Sequence, residues 1–446
     1  MSKLFGTDGI RGIVGPELNI DLAMKIGAST ARILKKQKEQ LTFLVGSDTR
    51  ISKDVLKNAL CSGVLSENAN ILDLGVIPTP AISYLIKKYK ADGGFVISAS
   101  HNPAKYNGIK IFNNEGFKLD DEIEEEIENV ILNNFSVSKD VNKVGKYEFV
   151  TNAKKDYVDY LKSTVDSNLK EFHIGIDAAN GAAYETSKML FDSFNIKYEI
   201  INHEPDGLNI NENAGSTHLE GLQKFVVENK LDCGIAFDGD ADRCLLVDEL
   251  GNQIDGDYIL AIYGKYLKDN NKLLNNTIVG TVMSNLGLVK FCEKENINFE
   301  ATKVGDRYVL ENMINNNYLI GGEQSGHIIF KELSNTGDGE LTAIQMLNVM
   351  HKTGKKLSEL ARIMEKYPQV LKNIEVSKEG KSSYKENKNI NKFLKECTEK
   401  LNGEGRILVR ASGTENLIRV MLEGKNIEEI SKMCDEIVNV IKSELN

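Results

Sequence analysis

The sequence lacks a basic charge excess, closely spaced cysteines and long apolar runs, and each absence excludes a class of protein. Its formal net charge is −10, so long-range attraction to nucleic acid is not expected. The six cysteines are scattered without a Cys-x-x-Cys pair, which argues against a disulfide framework or a zinc site and favours a reducing cytoplasm. No apolar run is long enough to span a bilayer, and the first residues show no signal-peptide pattern. We therefore expect a cytoplasmic protein without nucleic-acid or membrane partners.

The chain does have length and a repeated alternation of strand and helix patterns. With 446 residues it has room for roughly three or four domains of about 100–200 residues each. One pattern occurs three times, opening at the apolar runs 43–45, 173–177 and 277–280. Strands that alternate with helices predict βαβ units, so we expect three related α/β domains with mixed, mostly parallel sheets. From about residue 368 the pattern indicates a small α+β domain. The predicted domains span 1–152, 153–252, 253–367 and 368–446.

A polar loop follows the third strand in each of the three copies. These loops are 98–103, 238–243 and 322–327. Ligands of open α/β sheets bind beyond the carboxyl ends of the strands. If the domains face one cleft, we therefore expect the three loops to meet in it.

Ser100, in the first of these loops, is the residue expected to carry covalent chemistry. An apolar strand ends in small hydroxyl residues just before it, and Pro103 stops the segment. The plainer alternative is a turn serine whose hydroxyl bonds to nearby backbone.

Three aspartates, Asp238, Asp240 and Asp242, alternate with small residues in the second loop. At two-residue spacing their carboxylates can point to one side and share a cation, and without one they would repel each other. Hard oxygen ligands without histidine or cysteine favour Mg²⁺ over zinc. Two alternatives stay open. One is an aspartyl-phosphate phosphatase in which Asp238 is the nucleophile and Ser100 is irrelevant, and the other is a solvated acidic turn.

Other side chains near these loops suit acid–base chemistry or the binding of a sugar. His327 can act as an acid or base near neutral pH. Glu323 and Ser325, two residues apart, could hold adjacent sugar hydroxyls. Lys110 could be a general acid or base, or a phosphate ligand. The alternatives are a histidine that makes a structural hydrogen bond and a lysine on the surface.

Several arginines lie where a phosphate could bind. Arg11 belongs to a glycine-rich N-terminal loop, where its planar fork could clamp a phosphate. The loop 303–308 opens a helix, and helix starts bind anions. In the loop 410–416, hydroxyls and backbone amides beside Arg410 suit a phosphate cradle, with Arg419 on the next strand. Plain turns with incidental arginines are the alternative.

Taken together, these residues resemble the α-D-phosphohexomutase superfamily, and the resemblance covers the whole chain. The loops that match in order are 98–103, 238–243, 322–327 and 410–415, while 5–12, 303–308 and 322–327 resemble the amino-sugar branch. The resemblance implies four domains around a central cleft, the first three sharing an α/β core. It implies an isomerase that interconverts glucosamine 6-phosphate and glucosamine 1-phosphate, feeding UDP-N-acetylglucosamine synthesis.

The resemblance also implies a mechanism and a role for each matching residue. Ser100 would be carried as phosphoserine, and its phosphate would coordinate one Mg²⁺ together with Asp238, Asp240 and Asp242. The phosphoryl group would pass to the sugar, giving a hexosamine 1,6-bisphosphate that reorients and returns its other phosphate to the serine. The remaining roles are acid–base candidates (Lys110, His327), substrate ligands (Asp306, Arg307, Glu323, Ser325), distal phosphate ligands (Arg410, Ser412, Gly413, Thr414, Arg419) and supports of the transferring phosphate (Arg11, Arg243).

The partner implied is a small phosphosugar, and a homodimer is a further expectation. A phosphoglucomutase or phosphomannomutase is the nearest alternative function. A phosphosugar-binding protein without turnover is the alternative from a different class, although Ser100, the three aspartates and His327 together argue for catalysis.

Overall fold

Strands and helices alternate along the chain, because apolar residues recur at the spacing that buries one face of each element. The computed structural model describes residues 4–6, 8–35, 38–133, 135–136, 143–411 and 416–445. The chain forms two units, Met1–Met283 with Ile297–Arg362, and Ser284–Asn296 with Ile363–Asn446. The first unit contains three sheets and the second contains one.

The first sheet has six strands. These are β1 (Ile10–Ile13), β2 (Thr42–Ser47), β3 (Asn70–Val76), β4 (Gly93–Ile97), β5 (Tyr106–Asn113) and β6 (Tyr147–Phe149), with helices α1 (Ile20–Leu34), α2 (Lys53–Ser66), α3 (Thr79–Tyr89) and α4 (Asp121–Asn133). The strand order is β1-β5-β4-β2-β3-β6, and β5 is antiparallel to both of its neighbours while the pairs from β4 to β6 are parallel. Strand β4 is buried throughout, as expected of an apolar strand covered on both faces.

The second sheet repeats this plan with five strands. Its elements are α5 (Ala153–Ser163), β7 (His173–Asp177), α6 (Ala183–Ser193), β8 (Lys197–Ile201), α7 (Glu220–Asn229), β9 (Cys233–Phe237), β10 (Cys244–Asp248) and β11 (Gln253–Ile254). The order is β11-β10-β9-β7-β8, with β10 antiparallel to β9 and β11.

The third sheet has four strands. The elements here are α8 (Gly256–Asp269), β12 (Thr277–Thr281), α9 (Leu286–Glu295), β13 (Asn298–Thr302), α10 (Asp306–Asn316), β14 (Ile320–Gly322), β15 (Ile328–Phe330), α11 (Gly339–Thr353) and α12 (Leu357–Ala361). The order is β13-β12-β14-β15, and β15 is antiparallel to β14. Helix α9 belongs to the second unit.

All three sheets share one turn, which places the polar loops. In each, a strand of the parallel part (β4, β9 or β14) runs into a polar loop, and the chain returns antiparallel as β5, β10 or β15. The equivalence predicted for the three loops is therefore present in the fold. Strand β5 was not predicted. Its polar and glycine residues carry little strand signal, and pairing with β4 and β1 decides its conformation.

The second unit contains an antiparallel sheet in the order β16-β18-β17, formed by β16 (Gln369–Glu375), β17 (Gly405–Ala411) and β18 (Leu417–Gly424). Its helices after β16 are α13 (Lys378–Ser383), α14 (Lys388–Lys400) and α15 (Ile427–Leu445). Ile390, Cys397 and Ile437 of α14 and α15 share a core with the sheet. The predicted fold class, three related α/β domains and a C-terminal α+β domain, is thus confirmed.

Two of the features considered in the sequence, the cysteines and the apolar segments, can be examined in the structure. All six cysteines are free and buried. Among the helices in the described part of the chain, none combines the length and the apolarity needed to cross a bilayer.

Glu423, on β18, is a fully buried acid that links α9 to this sheet. Its carboxylate accepts hydrogen bonds from the backbone N–H of Leu286 at 2.9 Å and from Asn285 Nδ2 at 3.1 Å. It also accepts from Gln369 Nε2 at 2.9 Å and from Arg406 Nε at 2.6 Å. The buried charge is tolerated because four donors surround it.

We expect Glu423→Ala to destabilise the second unit by about 3 kcal/mol, because truncation leaves buried donors and a cation without their partner. Urea unfolding measures the loss, and limited proteolysis should show faster cleavage within residues 284–296. The control is Glu404→Ala, an exposed acid whose partner is Lys425; it should change little. Equal effects of the two substitutions would contradict the role of Glu423.

Candidate active site

Ser100 lies just beyond the end of β4, buried and in a backbone conformation that L-residues rarely adopt. Its φ is 51° and its side chain is buried. Its backbone N–H donates to Ser98 Oγ at 2.9 Å, and Ser98 Oγ–H donates to Asp48 Oδ2 at 2.6 Å. Ser100 Oγ donates to Asp238 Oδ2 at 2.6 Å, across 138 residues of sequence. The first and second polar loops therefore meet, as predicted.

The three aspartates of the second loop are withdrawn from solvent, so a solvated acidic turn is the wrong interpretation. Asp238, Asp240 and Asp242 are all buried, and one carboxylate oxygen of each lies within 4.8 Å of the others. Burial, followed by the charges of Asp242 and Asp240, raises the pKa of Asp238 well above its ordinary value. Such a cluster requires a cation.

Lys110, on β5, supplies one positive charge to this cluster and is not on the surface. Its Nζ lies 2.8 Å from Asp240 Oδ2, 3.1 Å from Asp242 Oδ2 and 3.2 Å from Asp8 Oδ2. Burial alone would lower the pKa of Lys110, but the three carboxylates outweigh it and hold the pKa well above the ordinary value. Lys110 therefore brings a positive charge into contact with all three of these carboxylates.

Lys110 also affects Asp242. Burial alone would raise the pKa of Asp242, but Lys110, His327 and Arg243 outweigh it and lower that pKa to about 2. Asp242 is therefore ionised.

The aspartates retain capacity for a metal ion. Asp240 Oδ1 and Asp242 Oδ1 are buried and have no hydrogen-bond partner among the residues that the structure describes. Unpaired buried carboxylate oxygens are costly unless a cation binds them. The donor set is all oxygen, which suits Mg²⁺. The residues present therefore fit the predicted ion.

Two charged residues that sequence reasoning did not single out link this cluster to the third loop. The Asp8 carboxylate hydrogen-bonds to Arg11 and to Lys118. Lys118 Nζ lies 2.5 Å from Asp306 Oδ2. Burial alone would lower the pKa of Lys118, but Asp306 and Asp8 outweigh it and raise the pKa above its ordinary value. Asp8 was within reach of prediction, since it lies in the glycine-rich loop beside Arg11, whereas Lys118 has no motif around it.

His327, in the third loop, is buried between two polar neighbours. The backbone N–H of Gly337 lies 3.2 Å from His327 Nε2. Nδ1 is buried without a hydrogen-bond partner in the described part of the chain. Asp306 Oδ2 lies 3.4 Å from Nε2. As an imidazolium the ring can give a proton to a neighbouring group, whereas the neutral ring can only accept one.

A cleft of about 460 Å³ joins the three loops, with Arg11, His101, Arg243, Glu323 and Ser325 among its lining residues. The Nε atoms of Arg11 and Arg243 are buried and lack a hydrogen-bond acceptor among the described residues. Burial, together with Arg243 and Arg11, lowers the pKa of His101 to about 4, so His101 is neutral. Two unsatisfied guanidinium donors facing one cleft suit a phosphate group.

The other predicted ligands fall in different places. Glu323 Oε1 accepts from the backbone N–H of Gly305 at 3.1 Å, which leaves the carboxylate at the cleft wall. Asp306 lines the cleft, but Arg307 lines a neighbouring cavity of about 210 Å³. Arg307 pairs there with Asp121 and with Glu311, the latter at 3.0 Å.

In the second unit, Arg410 of β17 lies directly opposite Arg419 of β18 in the antiparallel register. Burial, followed by the charge of Arg419, lowers the pKa of Arg410. Like charges placed opposite each other are unfavourable, so this pair suits an anion. Ser412, Gly413 and Thr414 lie outside the described residues.

Thr79, at the start of α3, is a further contact that no motif indicated. Its Oγ1–H donates to Asp240 Oδ2 at 2.6 Å, and its backbone N–H donates to the Asp240 carbonyl at 2.9 Å. Thr79 therefore orients one of the aspartates from outside the cluster.

Comparison with known proteins agrees with this geometry. Models of the phosphoglucomutase/phosphomannomutase family match the chain as alpha/beta/alpha domains I, II and III over residues 2–138, 155–251 and 255–367, and as the C-terminal domain over 371–440. The chain therefore belongs to the phosphoglucomutase/phosphomannomutase family. It is accordingly a mutase-type isomerase, and the predicted superfamily and enzyme class are confirmed.

Relatives that match over the full length of the chain include several phosphoglucosamine mutases. The chain is 52% identical to the phosphoglucosamine mutase of Clostridium novyi (strain NT) and 51% identical to that of Acetivibrio thermocellus, with 100% of both chains covered in each comparison. A solved structure of a phosphoglucomutase/phosphomannomutase family protein from Burkholderia thailandensis has a TM-score of 0.82, with 100% of this chain and 99% of that chain covered. At 21% identity, this likeness shows the fold alone.

The contact between the serine and aspartate loops depends on Gly239. A Cβ there would lie 2.5 Å from the Ser100 carbonyl oxygen and 2.8 Å from Asn211 Nδ2. We expect Gly239→Ala to lower kcat about 100-fold, because displacing Ser100 misaligns the reacting atoms.

The matched control is Gly221→Ala on α7, where an added Cβ meets nothing within 4 Å. Steady-state kinetics of both variants, with thermal unfolding as the folding check, measures the effect. A Gly239→Ala enzyme as active as Gly221→Ala would show that the close approach does not matter.

Proposed function

We propose that the protein interconverts glucosamine 6-phosphate and glucosamine 1-phosphate through a phosphoserine at Ser100. The observation that carries the proposal is the 2.6 Å hydrogen bond from Ser100 Oγ to Asp238, inside a buried cluster of three aspartates. The names of the full-length relatives support the amino sugar as substrate. Phosphoryl transfer asks mainly for alignment and charge neutralisation, which a buried and oppositely charged cleft supplies.

The geometry with an unmodified serine suits the half-reaction that re-forms phosphoserine. A bond forms between Ser100 Oγ and phosphorus as the bond from phosphorus to the sugar oxygen breaks. The hydrogen bond to Asp238 orients Ser100 Oγ, and the Asp238 carboxylate takes the serine proton as the bond to phosphorus forms. His327 lines the cleft, and its imidazolium gives a proton to the departing sugar oxygen. The opposite half-reaction uses the same groups in reverse.

The remaining residues bind and neutralise. Arg11 and Arg243 bind the oxygens of the transferring phosphate, and Lys110 holds the aspartates in place with its ammonium group. Asp238, Asp240 and Asp242, with the phosphate on Ser100, would hold one Mg²⁺, which when bound neutralises charge on the phosphoryl oxygens. We assign Glu323, Ser325 and Asp306 to the sugar.

Arg410 and Arg419 are assigned to the second phosphate of the hexosamine 1,6-bisphosphate intermediate, together with Ser412, Gly413 and Thr414. The support is their directly opposed register, which places two guanidinium-bearing side chains on neighbouring strands. We do not extend this assignment to Arg307, whose guanidinium is paired with acids of α4 and α10. The domain limits 1–152, 153–252, 253–367 and 368–446, a cytoplasmic location and a homodimer complete the proposal.

Ser100→Ala should abolish turnover, because no other group takes its place as phosphoryl acceptor. Peptide mass analysis of the purified wild-type protein should find phosphate on Ser100. The control is Ser62→Ala on α2, an exposed serine that should leave turnover unchanged. Normal turnover by Ser100→Ala would favour Asp238 as the nucleophile. If the wild-type protein binds the phosphosugar but does not turn it over, the protein is a phosphosugar-binding protein instead.

Substrate choice is tested by kcat/KM for glucosamine, glucose and mannose phosphates measured under one condition. We expect the amino sugar to be preferred. A strong preference for glucose 1-phosphate would assign the protein to the phosphoglucomutase alternative instead.

Metal dependence provides a further test. Removing divalent ions with a chelator should stop turnover, and Mg²⁺ should restore it. Thr79→Val removes the hydroxyl that orients Asp240, so we expect about 10-fold more Mg²⁺ for half-maximal activity. Thr398→Val, an exposed threonine on α14, is the control. An unchanged Mg²⁺ requirement in Thr79→Val would show that Asp240 does not need this support.

A further inference from the structure

Arg50, between β2 and α2, is fully buried, and all five of its N–H donors are used. The acceptors are Asp48 Oδ2 for Nε (2.8 Å), the carbonyls of Pro103 (2.6 Å) and Tyr106 (3.0 Å) for Nη1, and the carbonyls of Ser100 (2.9 Å) and Asn102 (2.7 Å) for Nη2. Four of the five acceptors are backbone carbonyls between residues 100 and 106. The serine loop thus wraps around one guanidinium group.

Only arginine can make this set of contacts. Its rigid planar fork carries five donors, whereas lysine carries three on a flexible stem. The positive charge is balanced by Asp48, which also accepts from the backbone N–H of Arg50 at 3.0 Å. Asp48 in turn accepts from Ser98 Oγ, which accepts from the backbone N–H of Ser100. Ser100 is therefore held through its carbonyl and through its amide by groups that converge on the Arg50–Asp48 pair.

The contacts explain how Ser100 keeps its φ of 51°, which is unfavourable for a residue with a Cβ. Asn211 adds two hydrogen bonds to the same loop, because its Nδ2 donates to the Ser100 carbonyl at 2.9 Å and to the Asn102 carbonyl at 3.2 Å. Without donors on this carbonyl the backbone would be free to relax. The hydroxyl of Ser100 would then leave its place beside Asp238.

We propose that Arg50 is a positioning residue for the phosphoryl-transfer step, which fixes the Ser100 oxygen by holding the serine loop in its left-handed conformation. The proposal rests on the proposed function of Ser100. Arg50 touches no substrate atom, since its five donors all point to the protein. Its contribution should therefore appear in the rate of transfer to and from Ser100, not in the affinity for the phosphosugar.

Arg50→Met should lower kcat about 100-fold and leave KM within about threefold, because misplacing a reacting group slows the chemical step while the sugar and phosphate ligands stay in place. The kcat of Arg50→Lys should lie between those of the wild type and Arg50→Met, since lysine keeps the charge and at most three donors. In a single-turnover experiment with a hexose bisphosphate, phosphorylation of Ser100 should slow by the same factor as kcat. The matched control is Arg32→Met on α1, which loses a partly exposed pair with Glu67 and should keep wild-type kinetics.

A second readout separates positioning from a general loss of structure. Arg50→Ala leaves a space the size of the missing group, and guanidinium at concentrations far below those that unfold the protein should restore part of kcat. If Arg50→Ala does not fold, the kcat and single-turnover data for Arg50→Lys provide the test. Wild-type kcat in Arg50→Met or Arg50→Lys, or a loss shared equally by kcat and binding without guanidinium rescue, would overturn the proposal. Turnover by Ser100→Ala would overturn the proposed function itself. An inactive Ser100→Ala enzyme together with a fully active Arg50→Met enzyme would overturn only the positioning role of Arg50.

Discussion

The active site depends on buried charges of alternating sign. Lys110 neutralises Asp240, Asp242 and Asp8, and Lys118 neutralises Asp8 and Asp306. Each of these groups would be costly to bury alone, and each is tolerated because its neighbours have the opposite sign. This series of alternating charges runs from the aspartate cluster to Asp306, which lies beside His327. Removing one charge of the series therefore leaves its neighbour buried without a partner of opposite sign.

A second constraint acts on the backbone. Ser100 and Ala241 both adopt positive φ, at 51° and 56°, and both lie in loops that follow a central strand. Strained positions of this kind persist only where surrounding contacts over-determine them. For Ser100 those contacts come from Arg50, Asn211 and Ser98, and the space is closed by Gly239. The serine is thus oriented by groups from two sheets before any substrate binds, which reduces the reorganisation needed during transfer.

These two constraints explain how one site can serve a reversible reaction. His327, held between Gly337 and Asp306, and the hydroxyl of Ser100, held by Asp238, are both in place in the unmodified protein. Lys110 keeps its positive charge because three carboxylates surround it. Fixed charges and fixed hydrogen-bond donors of this kind suit the phosphoryl transfer proposed above.

Most of the strands and helices, the three equivalent loops, and the places of Ser100 and the three aspartates in two of those loops could be predicted from the sequence, whereas strand β5 could not. Their signals are local: apolar runs that end in small polar residues, and carboxylates at a spacing of two. The tertiary structure alone decided which partners these residues meet. Lys118 and Asp306 are 188 residues apart, and Ser100 and Asp238 are 138 apart. Thr79 and Arg50 have no pattern that marks them, because they act by donating hydrogen bonds across the fold. Charge compensation and loop positioning depend on distances in space, which the order of residues does not contain.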